Sequence, residues 1–456
     1  MNSSATKNMT AGDPVKLMLS FSLPLVVGNV CQQLYTVTDT AIVGQGVGLE
    51  ALAALGCVDW LGFLLFGTAQ GFTQGFSIRM AQQYGAGNIK GLKKTVGVSA
   101  LLALAVAVIA TVVSLLALPL FLRILNVPDN LYDMANLYMT ILYAGVIFAL
   151  YNNYCASALR AVGNSRTPLV AMIVSSVTNI VLDSLAVFVL KWGIAGAAYA
   201  TVFSQFVGGT ICLVKMRRTP ELCITKDQIV HDPSIEKHLL TLGAPVSIQN
   251  AIISLGGVLV LRVVNSFGTA FIAGYTAGGK LYGILEIAAL SYSFAVTTYI
   301  GQNYGAGLKD RVQDGMKKAA RMSLITAVIV GGVMLLFGRQ FTAVFISAEN
   351  TAMAKEAGDA AYFYIAVMAA FMPVLYLLYV YRSALQGVGK PVFGLVGAFL
   401  SMGARLVCAF IAGRVGNGLI LFTAEPAAWT VGALVVFIAW RAFMKKYLAE
   451  DTRETA

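Results

Sequence analysis

Four carboxylates interrupt stretches of this chain that are otherwise almost wholly apolar: Asp39, Asp59 and Asp183 in the first half and Glu286 in the second. A charged group in apolar surroundings is expensive, so each needs a reason. Two of them have oxygen-bearing company. Asn179 precedes Asp183 by one helical turn, so both project from one face. Thr201 adds a hydroxyl in the following apolar run. Carboxylate, amide and hydroxyl oxygens at one place suit a proton or a hard monovalent cation. Paired carboxylates in a low-dielectric pocket raise each other's proton affinity, and Na⁺ can take the proton's place. Asp39, Asn179 and Asp183 are then metal ligands only if sodium is the ion used. The plainer alternative makes each acid a helix-end group facing outside water.

The elements that position these residues follow from composition. The chain has 456 residues, 58% hydrophobic and 12% charged. Soluble domains carry about twice that charge. Twelve apolar runs stand out, at about 15–43, 52–80, 94–117, 131–157, 168–190, 195–216, 238–265, 273–301, 314–337, 353–384, 391–412 and 426–446. Most exceed the roughly 20 residues a bilayer requires, so they are expected to be tilted membrane-spanning helices. No ten-residue alternation supports a β-barrel. The polar start, Met1 to Asp13, leads straight into a long span, so no cleavable leader is expected.

Two stretches repeat. Gln83-Tyr84-Gly85-Ala86-Gly87 returns as Asn303-Tyr304-Gly305-Ala306-Gly307, and Ser157-Ala158-Leu159-Arg160-Ala161-Val162-Gly163 as Ser383-Ala384-Leu385-Gln386-Gly387-Val388-Gly389. Pro24 has its counterpart in Pro245. The expected fold is an all-α polytopic membrane protein: two pseudo-symmetric lobes of six helices around a central cleft. The boundaries read as 1–216 for the first lobe, 217–237 for a connecting link and 238–456 for the second. Tandem lobes in an apolar chain mark a transporter. Lysine and arginine crowd alternate connections, such as Lys90, Lys93 and Lys94, or Lys309, Arg311, Lys317 and Lys318. By the positive-inside rule both termini are cytoplasmic.

Depth then orders the acids. Counted from the outer span ends, Asp39, Asp59 and Asp183 lie about 6–11 Å deep and share one layer of the first lobe. Asp59 is the outlying member, facing the outer vestibule. In the second lobe Lys280 stands where Asp59 stands in the first, and Arg262 sits near an outer end. Glu286 is expected near mid-bilayer, facing the cleft. The alternative pairs it with Lys280 or Arg262. Six residues separate Glu286 from Lys280, so those two do not share a helix face. Tyr35, one turn from Asp39, and Tyr282, near Glu286, offer rings to an organic cation. Pro24 interrupts the hydrogen bonding of the first span and is a hinge candidate, with a static kink as the plainer reading.

Other chemistry is excluded. The net charge of +11 sits in loops and not on a face with interleaved aromatics, so no nucleic-acid partner is expected. The six cysteines form no CxxC pair and read as reduced packing residues. With only His231 and His238, a zinc site is not expected. No phosphate loop, dinucleotide fingerprint or nucleophile elbow occurs.

These residues carry a resemblance. Pro24 with Asp39, the two Tyr-Gly-Ala-Gly turns, Ala158 to Gly163 followed by Pro168, Asn179 with Asp183, and Thr201 together resemble the MATE (multidrug and toxic compound extrusion) transporters over essentially the full chain. The resemblance implies antiport, with inward H⁺ or Na⁺ driving export of organic compounds. It places the coupling ion at Asp39, Asn179, Asp183 and Thr201, and cargo near Glu286. One departure is clear. Some members use acids in helices seven and ten for Na⁺, whereas here span seven has none and Asp359 lies near the outer end of span ten.

The expectation is therefore a monomeric, multi-pass antiporter of a bacterial cytoplasmic membrane, not an enzyme. It needs no cofactor beyond the coupling ion, and its partners are small cationic organic substrates and the lipid bilayer. A flippase for a lipid-linked saccharide is the alternative of the same superfamily, disfavoured by the few basic residues within spans. An intramembrane enzyme is the alternative of another class, disfavoured by the lack of a nucleophile or metal cluster.

Overall fold

The computed structural model describes residues 6–125, 127–343 and 352–454. Among them every regular element is a helix. The first half runs α1 (Pro14–Gly46), α2 (Leu49–Gly85), α3 (Ile89–Ile124), α4 (Asp129–Ala144), α5 (Val146–Ala161), α6 (Arg166–Ser184) and α7 (Gly193–Arg217). The second runs α8 (Pro233–Val264), α9 (Thr269–Gly305), α10 (Lys309–Ala343), α11 (Ala352–Gly387), α12 (Val392–Val415) and α13 (Ala424–Glu454). Among the described residues ten helices are long and apolar enough to cross a bilayer, and two bent pairs raise the number to twelve. The chain is a multi-pass membrane protein of the all-helical class.

Thirteen helices make twelve spans because the fourth is not straight. α4 and α5 meet at 44°. Gly145 stands at the break, where a Cβ would lie 2.3 Å from a methyl of Val202. The close approach of α7 thus requires glycine there. The sequence expectation of one continuous span over 131–157 is corrected, since hydropathy reports apolar content and not direction.

Side-chain size follows the solvent. α3 buries Ala103, Ala107, Ser114 and Leu118 and exposes Leu104, Val108, Val112 and Leu116. Small residues let helices approach inside, while large aliphatic ones face lipid. The repeated turns are alike in detail. Gly87 and Gly307 take φ of 67° and 71°, the left-handed conformation that favours glycine. Asn88 donates to the Gln83 carbonyl at 3.0 Å and Leu308 to the Asn303 carbonyl at 2.9 Å, closing both helices in the same way.

By internal contacts the chain forms two units. One comprises Met1–Met9 and Leu23–Ala251, the other Thr10–Ser22 and Ile252–Ala456. These differ from the lobe boundaries read at 217 and 237. In the first unit, Ser247 Oγ donates to the Thr68 carbonyl at 2.7 Å and Asn250 Nδ2 to the Gly67 carbonyl at 2.8 Å. The early part of α8 therefore belongs with α2. The link over 217–237 is fastened to the same unit: Lys94 Nζ lies 2.6 Å from Asp232 Oδ2, and Gly97 makes room for the Gln228 carbonyl. The Lys94 ammonium and the Ile235 and Ser234 amides hold the Asp232 carboxyl below its usual range. In the second unit, Arg311 donates to the Gly12 carbonyl at 3.0 Å, which joins the start of α1 to α10.

Candidate functional site

In the first unit α1 lies along α6 and along the turn that follows it. The α-carbon of Gly28 faces Met172, Asp39 faces Asp183, and Gly46 faces Val187. Two glycines in α1 let its backbone approach, Gly28 against α6 and Gly46 against the segment Leu185–Val189. A Cβ at Gly28 would stand 3.0 Å from the Met172 sulfur, and one at Gly46 would stand 2.2 Å from a Val187 methyl. α6 passes directly after Ser184 into one turn of π-helix, Leu185–Val189. Such turns are frequent at functional sites because they re-aim neighbouring side chains. α7 packs antiparallel to α6, with Ser175 Oγ donating to the Ser204 carbonyl at 2.7 Å.

This framework gathers the sequence-predicted residues at one place. The carboxyls of Asp39 and Asp183 face each other at hydrogen-bond distance. Two carboxyls at this range can hold one proton between them, since an ionised carboxylate only accepts. With its amide oriented to satisfy both neighbours, Asn179 donates to Asp183 Oδ2 at 2.7 Å. It then accepts from the Thr201 backbone N–H at 3.2 Å and from Thr201 Oγ1 at 3.3 Å. Asp183 and Asn179 are 0% and 1% exposed and Asp39 is 9% exposed, which excludes helix-end groups bathed in water. Asp183 Oδ1 has no donor among the described residues, so this carboxyl keeps capacity for a proton or cation. Tyr35, read from sequence as a cargo ring, hydrogen-bonds Thr201 and belongs to this same group. Asp59 lies in α2, but its side chain is outside the described residues. Pro24 lies within α1, close to the point where that helix changes unit.

The second unit is built differently. Glu286 on α9 accepts hydrogen bonds from the hydroxyls of Tyr379 on α11 and Tyr282 on its own helix. Neither Lys280 nor Arg262 is its partner; Lys280 is exposed. Arg382 stacks over the Tyr379 ring, 4.3 Å from its centre. A pair not foreseen from sequence completes the region. Arg405 on α12 donates to Glu425 Oε2 on α13 at 2.7 Å and to the Ile253 carbonyl of α8 at 3.3 Å. Gly256 leaves space for it, since a Cβ there would stand 2.6 Å from the guanidinium. Trp429, one turn after Glu425, stacks on Tyr282 with ring centres 5.6 Å apart. The available signal was Arg405 itself, a lone cation within the long apolar run of the eleventh span. Among the described residues no group of three or more His, Cys, Asp or Glu side chains could hold a metal ion by itself. The first-unit group has two acids, with the amide and hydroxyl supplying the rest.

An all-helical, multi-pass chain with two repeated halves, each setting carboxyls among its helices, has the architecture of a membrane transporter. The family model MatE matches it twice, over residues 24–185 and again over 245–411. The chain belongs to the MATE family of transporters. Both matches begin at the prolines that the repeat pairs, Pro24 and Pro245. Curated relatives include the Probable multidrug resistance protein YpnP of Bacillus subtilis, 28% identical over 387 residues and 84% of each chain. Another is the Probable multidrug resistance protein YoeA of the same organism, 29% identical over 354 residues, 73% of this chain and 74% of that one. Among solved structures, a MOP superfamily transporter from Pyrococcus furiosus has the same fold, with a TM-score of 0.89 at 23% identity over 98% of this chain and 99% of that one.

Proposed function

We propose that this protein exports small organic cations across a bacterial cytoplasmic membrane in exchange for H⁺ or Na⁺, by alternating access, as a monomer with both termini cytoplasmic. The observation that carries the reading is the buried oxygen cluster of Asp39, Asn179, Asp183 and Thr201. A shared proton between two carboxyls leaves when a cation arrives or when water gains access, so the pair changes charge as the protein changes state. The relatives named as multidrug resistance proteins agree with a cargo of small organic compounds.

Each residue then has a task. Asp39 and Asp183 hold the coupling ion. Asn179 and Thr201 fix the carboxyl of Asp183 and close the polar end of the cluster. For Na⁺ the two acids, the Asn179 amide oxygen and the Thr201 hydroxyl supply hard ligands of the right kind. Pro24 lets α1 bend, so that the charge state of Asp39 sets the course of that helix. Glu286 gives cationic cargo a counter-charge beside Tyr282, whose ring adds cation–π attraction.

The test is efflux from proteoliposomes under separately imposed proton and sodium gradients. Asp39→Asn is expected to abolish ion-driven export while leaving the far-ultraviolet circular dichroism and the melting temperature unchanged. Wild-type export by that variant overturns the mechanism, and the gradient that drives the unaltered protein names the ion.

A further inference from the structure

The second unit contains two carboxyls that reach the same tyrosine but are neutralised differently. Glu286 accepts from Tyr282 and Tyr379 and makes no direct ion pair among the described residues, while the charge of Arg382 acts on it from beyond the Tyr379 ring. Glu425 lies within electrostatic reach of Tyr282 and is bound by Arg405 at 2.7 Å. Trp429 ties the two together, since it follows Glu425 by one turn and stacks on Tyr282. Arg405 is 7% exposed and sits midway along α12, where an unpaired guanidinium would be costly. It is held in place by the Ile253 carbonyl and by the space at Gly256. Its Nε has no partner among the described residues, so its geometry is not set by saturating its own donors. Arg382 lies behind Tyr379, on the face of that ring, and is half-exposed.

We infer that Arg405 sets the charge of the cargo: by cancelling Glu425 it leaves Glu286 as the carboxyl without a direct ion pair beside Tyr282 and Trp429, and the site accepts organic monocations in preference to dications. The inference rests on the reading of Glu286 as the cargo carboxylate. A ligand with one positive charge matches one free carboxylate. A second positive charge would meet the guanidinium at short range, where like charges repel strongly in a medium of low dielectric. Removing Arg405 alone exposes a second carboxylate and gives a divalent ligand its counter-charge. Removing both partners restores the original balance with neutral groups. Removing Glu425 alone leaves a buried cation beside the site and repels every cationic ligand.

The experiment is a double-mutant cycle of full-length protein in proteoliposomes, with tetraphenylphosphonium as the monovalent probe and methyl viologen as the divalent one. The readouts are the ratio of the two transport rates within each variant, in which a general loss of folded protein cancels, and phosphonium transport normalised to the folded protein in the liposomes. Arg405→Gln should raise the viologen-to-phosphonium ratio at least about fivefold. Glu425→Gln should lower phosphonium transport at least about fivefold, and Arg405→Gln with Glu425→Gln should return both values to within about twofold of wild type. An unchanged ratio in Arg405→Gln overturns the inference. So does a raised ratio that persists in the double variant, which would assign Arg405 a packing role only. Glu286→Gln is run in parallel: wild-type phosphonium transport by that variant removes the underlying cargo reading, an outcome distinct from any result of the Arg405 and Glu425 cycle.

Discussion

The two repeated units satisfy the acids among their helices in opposite ways. The first sets carboxyl against carboxyl, with the Asn179 amide donating to Asp183 and the Thr201 hydroxyl bonded in turn to Asn179. The second gives one carboxyl two tyrosine hydroxyls and the other a guanidinium. An acid pair is satisfied only by an added positive ion, so its charge depends on what it binds. An acid held by hydroxyls or by arginine keeps one arrangement without outside help. Under the proposed function, one duplicated scaffold carries an exchangeable charge in one half and a fixed charge pattern in the other. On that same proposal, the coupling ion belongs to the first unit and cargo recognition to the second.

The sharpest way to break it is Asp183→Asn. That substitution removes the shared proton and should lower ion-driven export by about 100-fold or more in proteoliposomes, because no ion remains to be exchanged. Facilitated, gradient-independent leak of cargo should survive. Loss of cargo binding together with coupling would merge the two roles and end the comparison. Next in size is Glu286→Gln, expected to weaken binding of tetraphenylphosphonium about tenfold by titration while leaving proton or sodium uptake measurable. Thr201→Val should be milder, shifting the concentration of coupling ion for half-maximal export about threefold, since it removes one hydroxyl and no charge.

Packing offers another contrast. A side chain at Gly71 would meet the backbone of Ser247 at 2.5 Å, whereas one at Gly278 in the second unit would meet the ring of Tyr364. Backbone cannot step aside, whereas the buried Tyr364 side chain, packed on Tyr275 and Phe422, can shift in part. Gly71→Val should cost about 3 kcal/mol and Gly278→Ala about 1 kcal/mol, read as thermal unfolding in detergent. The smallest effect belongs to the surface link. Asp232 has its folded-state carboxyl held down by Lys94, so its contribution is present above the ordinary value of 3.8 and fades as pH falls through the lower folded value. Asp232→Asn should lower the melting temperature slightly at pH 7, and the difference from wild type should shrink below about pH 4.

Much of this was legible beforehand for definite physical reasons. Span positions follow from runs of apolar residues, and the grouping of Asp39, Asn179, Asp183 and Thr201 follows from counting depth along straight helices. Both kinds of argument fail where local packing decides. The bend at Gly145 is fixed by the methyls of Val202, which lie far away in sequence. Tyr35 lies one turn from Asp39 on paper, yet it is α7 that supplies its hydroxyl partner. Arg405 and Glu425 sit on different helices, and Glu425 falls at the start of its span, where an acid attracts no notice. Only the close approach of α12, α13 and α8 turns them into one structure.

The division of α1 and α8 has a consequence for how such a chain can be cut. A break in the gene within codons 217–237 looks natural, since it separates the two copies of the repeat. The amino-terminal product would lack the turns through Ala251 that bond to α2, and the carboxy-terminal product would lack Thr10–Ser22. Each fragment made singly would expose an unfilled groove and be degraded. Expressed together they can supply each other's missing turns, so activity should return only on co-expression. Two copies that arose from one ancestor have in this way become mutually dependent.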